Sequence, residues 1–278
     1  DIGQYLKATI RSYGVSDDYF IYDDSEDARV GMYFYEYGAY PRKPQVIYDR
    51  RNSSFYSLDI SEIDERVYAD TKCFHTSGIT LALDKRLCET TIEVIRRFKA
   101  AGAVISFDVN FRGNLWTGDE ARETIEGLLP YVDVFFCSES TARLTFLKKG
   151  SCEEMLKEFT EEYPIQAVFA TKRTVKSPKV HDFGSLAYSA AEKKYYEEKP
   201  YLNIDVVDRI GSGDSYIAGA LYGLISSGGD MEKAVKYGNA ASAMKNTIPG
   251  DLPQSGLAEI EQVIADHYTE GWQAEMKR

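Results

Sequence analysis

The sequence predicts an α/β fold in which a mostly parallel sheet is flanked by helices, with a small β lid added to it. Two observations carry this prediction. From Ser61 onward, short apolar runs alternate with runs of helical length, which is the pattern of parallel strands connected by helices. Before that point, two aromatic, β-rich runs flank a segment containing glycine and two prolines, which is typical of a hairpin with a long connection.

The first predicted element is a helix, because apolar residues recur at helical spacing from Ile2 to Ile10 and Gly14 follows. The hairpin is predicted to join 29–39 to 45–55 and to project from the main body. We therefore predict a lid over 29–57 and an α/β domain formed by 1–28 and 58–278. Because the sequence opens directly into a helix, we expect this domain to be incomplete at its N-terminus.

The remaining elements follow from the alternation of short and long runs. Strands are predicted over 73–76, 104–108, 132–137 and 167–171, with helices over 84–101, 118–128, 140–148 and 152–163. A polar loop is expected over 172–178, followed by two more strands and three helices, over 186–188, 193–198, 214–226, 231–245 and 256–268.

The composition excludes several classes of function. The formal net charge of −11 argues against binding to nucleic acid or to anionic membranes, since both need a basic surface. No apolar run approaches the roughly 20 residues of a membrane span. The four cysteines form no C-x-x-C pair or zinc framework, so we expect reduced thiols and a cytoplasmic location.

The turn Gly211-Ser212-Gly213 directly precedes a strong helical run. Glycines let the backbone turn tightly and point its N–H groups at one place, and a helix N-terminus adds partial positive charge, so this turn predicts an anion site. Asp214 follows at once and could accept a proton from an attacking hydroxyl. The turn fits neither a Walker A loop nor a dinucleotide fingerprint. From these residues alone, an ordinary helix start with an acidic first turn remains an alternative.

The segment 208–219 closely resembles the C-terminal signature of the ribokinase (PfkB) family of carbohydrate kinases. Other segments, in order along the whole chain, resemble its 2-dehydro-3-deoxygluconate (KDG) kinase branch: 31–33, 47–50, 74–79, 108–116 and 245–251. The resemblance implies a ribokinase-like three-layer sandwich. It also implies an enzyme that phosphorylates the terminal hydroxyl of a sugar acid with ATP, most closely KDG to its 6-phosphate.

The resemblance assigns roles to individual residues. Asp214 would be the catalytic base, with the N–H groups of Gly211, Ser212 and Gly213 as the anion hole. Substrate contacts are implied for Tyr33, Tyr48, Arg50, Ile79, Arg112 and Asp251. Cofactor contacts are implied for Asn110, Arg112, Ser138, Thr171, Lys172, Arg173, Gly211, Gly213, Asn239 and Ala240, with Glu139 at the metal. Arginines suit such a substrate because they bind carboxylates with two parallel hydrogen bonds.

The sequence departs from the family pattern in three places. The usual N-terminal strand and its Gly-Gly sugar-binding motif are absent. Ser138 stands where the family has the asparagine of an Asn-x-x-Glu segment linked to Mg-phosphate binding. The basic run 172–176 replaces the usual glycine-rich nucleotide loop and could clamp phosphates instead.

The expected cofactors are ATP and Mg²⁺, together with a monovalent cation. The expected partners are the sugar acid and further copies of the chain, in a homodimer or higher homo-oligomer formed through the lid. Three alternatives stay open: a kinase for a neutral sugar such as fructose or tagatose, a non-catalytic protein that binds a sugar acid or nucleotide, and a dimerisation module.

Overall fold

The computed structural model describes residues 2–269, so Asp1 and 270–278 of the predicted α/β domain lie outside the described residues. The chain divides into two compact units, an N-terminal unit Asp1–Asp133 and a C-terminal unit Val134–Arg278. The predicted division into a lid and one α/β domain stays a prediction.

The N-terminal unit begins with helix α1 (Ile2–Ser12) and a two-stranded hairpin of β1 (Met32–Glu36) and β2 (Gln45–Asp49). The strands pair antiparallel, with Met32 opposite Asp49 and Glu36 opposite Gln45. Neither α1 nor the two strands bury a residue. The predicted helix and hairpin are confirmed, although the strands are shorter than the β-rich runs.

The rest of this unit comprises α2 (Arg66–Asp70), β3 (Cys73–Ser77), α3 (Gly78–Ala82), α4 (Lys85–Ala100), β4 (Val104–Asp108) and α5 (Gly118–Leu128), with 3₁₀ turns at Ser54–Ser57, Ile60–Glu62 and Leu129–Tyr131. Asp84 caps α4 by accepting a hydrogen bond from the Leu87 N–H at 2.7 Å. The apolar face of α4 is buried, including Leu87 and Ile95. Strands β3 and β4 are parallel with Ser77 opposite Asp108, so their carboxyl ends are neighbours.

The C-terminal unit contains β5 (Val134–Phe136), α6 (Glu139–Leu144), α7 (Cys152–Glu162), β6 (Ala167–Ser177), β7 (Val180–Ser189), β8 (Lys194–Glu197), β9 (Tyr201–Asp205), α8 (Ser212–Ser226), α9 (Met231–Asn246) and α10 (Leu257–His267). Strands β5 and β6 are parallel, whereas β7 pairs antiparallel with β6, β8 and β9. The α/β class is confirmed, and these antiparallel strands make the sheet of this unit mixed.

The polar loop predicted over 172–178 is wrong. Strand β6 continues to Ser177 and forms a long hairpin with β7, in which Thr171 lies opposite Ser185 and Arg173 opposite Phe183. Residues 173–176 are exposed on this strand, so backbone pairing with β7 holds them extended without any apolar pattern of their own. Strand β9, which was not predicted, pairs with the N-terminal part of β7, from Val180 to Phe183.

Helix α8 packs closely on α9, and α9 is buried almost throughout. At Gly219, a Cβ atom would come within 2.4 Å of the Tyr237 carbonyl oxygen, so only glycine allows this approach. The middle of α8 is therefore held directly against α9.

The four cysteines, which all lie within residues 2–269, form no disulfide, and Cys137 and Cys152 are buried. Among the helices of residues 2–269, none is long and apolar enough to cross a membrane.

Candidate active site

Asp208 anchors the glycine turn predicted to bind an anion. Its buried carboxylate accepts hydrogen bonds from the N–H groups of Ile210 at 3.0 Å and Gly250 at 3.1 Å. One carboxylate therefore ties the residues just before the turn to the loop that follows α9. We call residues 208–214 the anion turn.

Gly211 shapes this turn and is needed for two reasons. It caps α8 with a φ of 74°, in the left-handed region that favours glycine. A Cβ atom here would also lie 2.1 Å from the Asp251 carbonyl oxygen. The structure thus places Asp251, a predicted substrate contact, directly beside the predicted anion hole.

The N–H groups at the start of α8 are available to a ligand. Those of Gly211, Gly213 and Asp214 form no hydrogen bond within residues 2–269, whereas the Ser212 N–H donates to the Arg209 carbonyl at 3.3 Å. Two of the three N–H groups predicted to form an anion hole, those of Gly211 and Gly213, are therefore without a partner in the described chain, and so is that of Asp214. The Asp214 carboxylate is exposed in the same helical turn.

Lys245 connects the anion turn to the loop that follows α9. It is fully buried, and its ammonium donates to the carbonyl oxygens of Ile248 at 3.0 Å and Asp208 at 3.4 Å. Burial lowers the pKa of Lys245, and the carboxylates of Asp208 and Asp251 oppose this shift. The turn thus rests on a buried network of one carboxylate and one ammonium.

Three basic side chains gather on the β6–β7 hairpin and the anion turn. Protein atoms around the guanidinium, and then the nearby charge of Arg209, lower the pKa of Arg173, although this side chain is partly exposed to solvent. Burial together with both arginines lowers the pKa of His181, which has only 2% of its surface exposed. Neither arginine forms an ion pair within the described part of the chain. Lys172, in contrast, is paired with Glu197 at 2.8 Å.

The other predicted cofactor contacts of this unit are already engaged or buried. The Ser138 hydroxyl caps α6, and the Glu139 carboxylate pairs with Arg143 at 2.9 Å. Asn239 and Ala240 are fully buried, and the Asn239 amide oxygen accepts a hydrogen bond from Ser185 at 2.7 Å. Within residues 2–269, no group of three or more His, Cys, Asp or Glu side chains could hold a metal ion.

In the N-terminal unit, the hairpin brings its three predicted substrate contacts together. Tyr33 and Tyr48 are cross-strand partners with ring centroids 6.4 Å apart, and the Arg50 guanidinium lies 3.9 Å from the centre of the Tyr48 ring. Nη2 of Arg50 is buried without a hydrogen-bond partner. A buried, unsatisfied donor of this kind suits an anionic ligand group.

The carboxyl ends of β3 and β4 bring Ile79 and the loop 110–112 to the same edge of the sheet. Asn110 adopts a left-handed conformation with a φ of 40°. Nη1 of Arg112 donates to the carbonyl oxygens of Phe111 at 3.1 Å and Asn110 at 3.4 Å. No carboxylate of the described residues pairs with Arg112, so its charge remains available.

Sequence reasoning missed four side chains of this region as site residues: Asp208, Arg209, His181 and Lys245. Asp208 and Arg209 belong to the segment 208–219, in which only the glycines and Asp214 have residue types that indicate a role in phosphoryl transfer. Lys245 directly follows the small and mostly apolar run 240–244, and this was a usable signal for a buried charge. Nothing in the sequence marked His181, because its neighbours were not expected to form a strand.

Comparison with known proteins gives the family of the chain. Residues 1–251 match the pfkB family of carbohydrate kinases. A 2-dehydro-3-deoxygalactonokinase from Haloferax volcanii is 33% identical over 95% of this chain and 78% of the relative. A crystal structure of 2-dehydro-3-deoxygluconokinase from Thermotoga maritima aligns with a TM-score of 0.87 at 29% identity, over 95% of this chain and 80% of the other. A ribokinase II from E. coli, in complex with ATP and Mg²⁺, aligns with a TM-score of 0.69 at 27% identity, over 85% and 71%. The ribokinase-like fold is thereby confirmed, and the chain belongs to the pfkB family of carbohydrate kinases.

Proposed function

We propose that this carbohydrate kinase transfers the γ-phosphoryl group of ATP to the terminal hydroxyl of a 2-dehydro-3-deoxy sugar acid, with KDG giving its 6-phosphate as the leading substrate. One observation carries the proposal: three free N–H groups at the start of α8 stand beside the exposed carboxylate of Asp214. The names of the similar proteins, a galactonokinase and a gluconokinase of this type, support the substrate class.

In the proposed reaction, the Asp214 carboxylate accepts the proton of the terminal hydroxyl. The hydroxyl oxygen then forms a bond to the γ-phosphorus while the bond from that phosphorus to the β–γ bridging oxygen breaks, and ADP leaves. The N–H groups of Gly211, Gly213 and Asp214 stabilise the negative charge on the transferring group. A carboxylate beside an anion-binding turn would be repulsive unless a proton-donating hydroxyl lay between them, so the geometry favours this order of groups.

The basic cluster of Arg173, His181 and Arg209 suits the remaining phosphates of ATP. Two guanidinium groups without a carboxylate partner repel each other, and a polyanion removes that repulsion. Thr171 and Lys172 lie on the same strand and complete the proposed nucleotide edge. Because Asn239 and Ala240 are fully buried, we place them behind the nucleotide rather than in direct contact with it.

Mg²⁺ fits this chain as an ion carried by the nucleotide. The donor set lacks a carboxylate cluster within the described residues, and Glu139 is paired with Arg143. Mg²⁺ is usually held by phosphates and waters with one or two carboxylates, so Glu139 and Ser138 would at most add a single contact. The ion, when bound, neutralises phosphate charge. The expectation of a monovalent cation is taken up below.

On the substrate side, we propose that Arg50 and Arg112 receive the carboxylate of the sugar acid. Both guanidinium groups lack a carboxylate partner in the described chain, and Arg50 keeps a buried unsatisfied N–H. Tyr48 fixes Arg50 through the ring contact, and Tyr33 lies against Tyr48. In this proposal Ile79 supplies an apolar wall, and Asp251 accepts a hydrogen bond from a substrate hydroxyl.

A coupled assay for ADP tests the function. The protein is supplied with MgATP and one of four sugars: KDG, its galactonate epimer, fructose or tagatose. We expect turnover of one or both sugar acids and a kcat/KM for the neutral ketoses lower by about 100-fold or more, since they leave the arginines unpaired. Faster turnover of a ketose would replace the proposal by the neutral-sugar alternative, and binding without turnover of any sugar would contradict catalysis.

We also propose that the hairpin joins two copies of the chain. Its second face carries Met32, Phe34 and Ile47, of which Phe34 and Ile47 are 57% and 65% exposed. An apolar face of this kind is typical of an interface. Sedimentation should show a dimer that the double substitution Phe34→Glu and Ile47→Glu converts to monomer, whereas a wild-type monomer would contradict the proposal.

A further inference from the structure

Lys245 is a buried charge that the proposed reaction does not use. It is fully buried near the end of α9, where an ammonium is costly unless it is well hydrogen-bonded. A second nearly buried lysine of the same unit, Lys148, is bound by the carboxylates of Glu158 and Glu162. The ammonium of Lys245 instead donates to two backbone carbonyl groups, so it is not an ordinary ion pair.

One of the two carbonyl groups belongs to the anion turn and the other to the loop that follows α9. Ile248 lies in the loop that leads to Asp251, and Asp208 starts the turn itself. The carboxylate of Asp208 also contacts this loop directly, because it accepts a hydrogen bond from the Gly250 N–H. The ammonium therefore lies at a junction where two segments present carbonyl oxygens to one positive charge.

Convergent backbone carbonyl groups are also the ligands that K⁺ takes in proteins, where they replace its hydration shell. An ammonium group is close to K⁺ in size and carries the same charge. A lysine ammonium at this position can thus do what a bound monovalent cation would do. It differs in being covalently attached to α9 and therefore always present.

We propose that Lys245 is an internal, tethered cation of the anion turn, which holds the Asp208 and Ile248 carbonyl groups together and makes phosphoryl transfer independent of a bound monovalent cation. Lys245 is a positioning residue, because it acts through the backbone of the turn and does not touch substrate. The inference rests on the proposed function of the anion turn. A lysine that merely caps the end of α9 would bind the carbonyl groups of that helix end, but Asp208 lies outside it.

The first experiment uses the wild-type protein in the coupled assay, in KCl, NaCl or tetramethylammonium chloride at one ionic strength. We expect the same kcat in the three salts within about twofold, since the internal ammonium leaves no place for a cation. A stimulation by K⁺ of about tenfold or more would overturn the proposal.

The second experiment compares two variants. Lys245→Ala removes the ammonium and leaves room, whereas Lys245→Met fills the space without charge. We expect kcat to fall about 100-fold in both, with little change in the KM for the sugar acid, because one charged support of the anion hole is lost. K⁺ or methylammonium should restore Lys245→Ala about tenfold and leave Lys245→Met unchanged. Lys148→Ala, the matched control, should remain insensitive to the cation.

Two measurements keep this test separate from the proposed function. The midpoint of thermal unfolding and the affinity for MgADP are recorded for Lys245→Ala in K⁺ and in tetramethylammonium, and both should rise in K⁺. If the wild type phosphorylates no sugar acid, the proposed function fails while these two values still judge Lys245. A folded Lys245→Ala without any response to K⁺, or a folded Lys245→Met with wild-type kcat, would overturn the inference. If Lys245→Ala does not fold, the kcat of Lys245→Met decides whether the inference stands.

Discussion

The anion turn and the β1–β2 hairpin are built on opposite principles. The turn presents main-chain N–H groups, and buried side chains hold it from behind: Asp208 is 3% exposed and Lys245 not at all. The hairpin buries no residue in either strand and presents side chains from an exposed two-stranded ribbon. Groups proposed for the chemistry are thus backbone atoms with a buried support, whereas groups proposed to select the substrate are side chains that can be exchanged singly.

This contrast predicts two kinds of substitution. A change in the turn should lower kcat, and it should lower stability as well where it disturbs the buried support. A change on the substrate face of the hairpin should raise KM and leave both kcat and stability nearly unchanged. The following substitutions sharpen or break the contrast, in order of decreasing expected effect.

Asp214→Asn should lower kcat by about 10³-fold, because the amide cannot accept the proton of the substrate hydroxyl. The exposed side chain carries little structure, so the midpoint of thermal unfolding should change by no more than about 1 °C. Kinetics and thermal unfolding measure both. Asp119→Asn, at another exposed acid in the first turn of a helix, α5, is the control and should keep full activity. Turnover near that of the wild type in Asp214→Asn would contradict the assigned base.

Gly211→Ala should lower kcat by about 100-fold and destabilise the protein by about 1–3 kcal/mol, because the new methyl group meets the Asp251 carbonyl in a strained backbone conformation. Gly250→Ala is matched to it. Gly250 also has a positive φ, of 83°, but a Cβ there would meet nothing within 4 Å.

The control variant therefore isolates backbone strain, and we expect it to cost about 1 kcal/mol with kcat within a few-fold of the wild type. Chemical denaturation gives the free energy of unfolding of both variants. If the two variants lost activity equally, the close approach of Asp251 to the turn would have no functional role.

Arg50→Ala should raise the KM for the sugar acid about tenfold or more and leave kcat unchanged, since a carboxylate-binding guanidinium acts on binding alone. Arg50→Lys keeps the charge but lacks the planar guanidinium, so its KM should lie between those of the wild type and Arg50→Ala. The exposed neighbour Arg51 gives the control, Arg51→Ala, with a KM near that of the wild type. A fall in kcat at constant KM would show that the hairpin takes part in the chemistry.

The smallest effect concerns one cysteine in each unit, the partly buried Cys73 and the buried Cys152, whose reactivity should not differ as the turn and the hairpin do. Burial raises the pKa of Cys73 in the N-terminal unit and of Cys152 in the C-terminal unit to about 11. At pH 8 the thiolate fraction is then lower by about 100-fold than for a free thiol, so alkylation of both should be slow in the native protein and fast in denaturant.

Linkage gives a second measurement of the same groups. A raised thiol pKa adds stability that is complete below the ordinary value of 9.0 and is lost as the pH rises through about 11. The unfolding midpoint should therefore fall across this range. Rapid labelling of Cys73 alone would mean that the whole N-terminal unit, and not the hairpin only, is loosely held.

Much of the fold could be read from the sequence because local patterns and tertiary packing agree. Helix α4 shows this well, since Asp84 caps it and its apolar positions at helical spacing are the buried ones. The second half of β6 could not be predicted, because residues 173–176 are exposed and mostly polar and owe their extended conformation to the pairing with β7.

The site divides in the same way. Gly211 and Asp214 could be predicted as candidate site residues because a glycine turn and a carboxylate at a helix start indicate particular chemistry by residue type alone. Asp208 and Lys245 were not, because their roles depend on which backbone groups of a distant segment come within hydrogen-bond distance. The recruitment of His181 beside two arginines likewise follows from strand register, which the sequence does not display.

The alternation of side chains along the β1–β2 hairpin limits how this hairpin can change during evolution. Tyr33, Tyr48 and Arg50 share one face by parity, and Phe34 and Ile47 share the other. Point substitutions can therefore retune one face without touching the second. Insertion or deletion of a single residue within either strand would exchange the faces of everything beyond it. The corresponding hairpins of related proteins should accordingly differ in residue identity and in the length of the connecting loop, and rarely in the length of the paired strands.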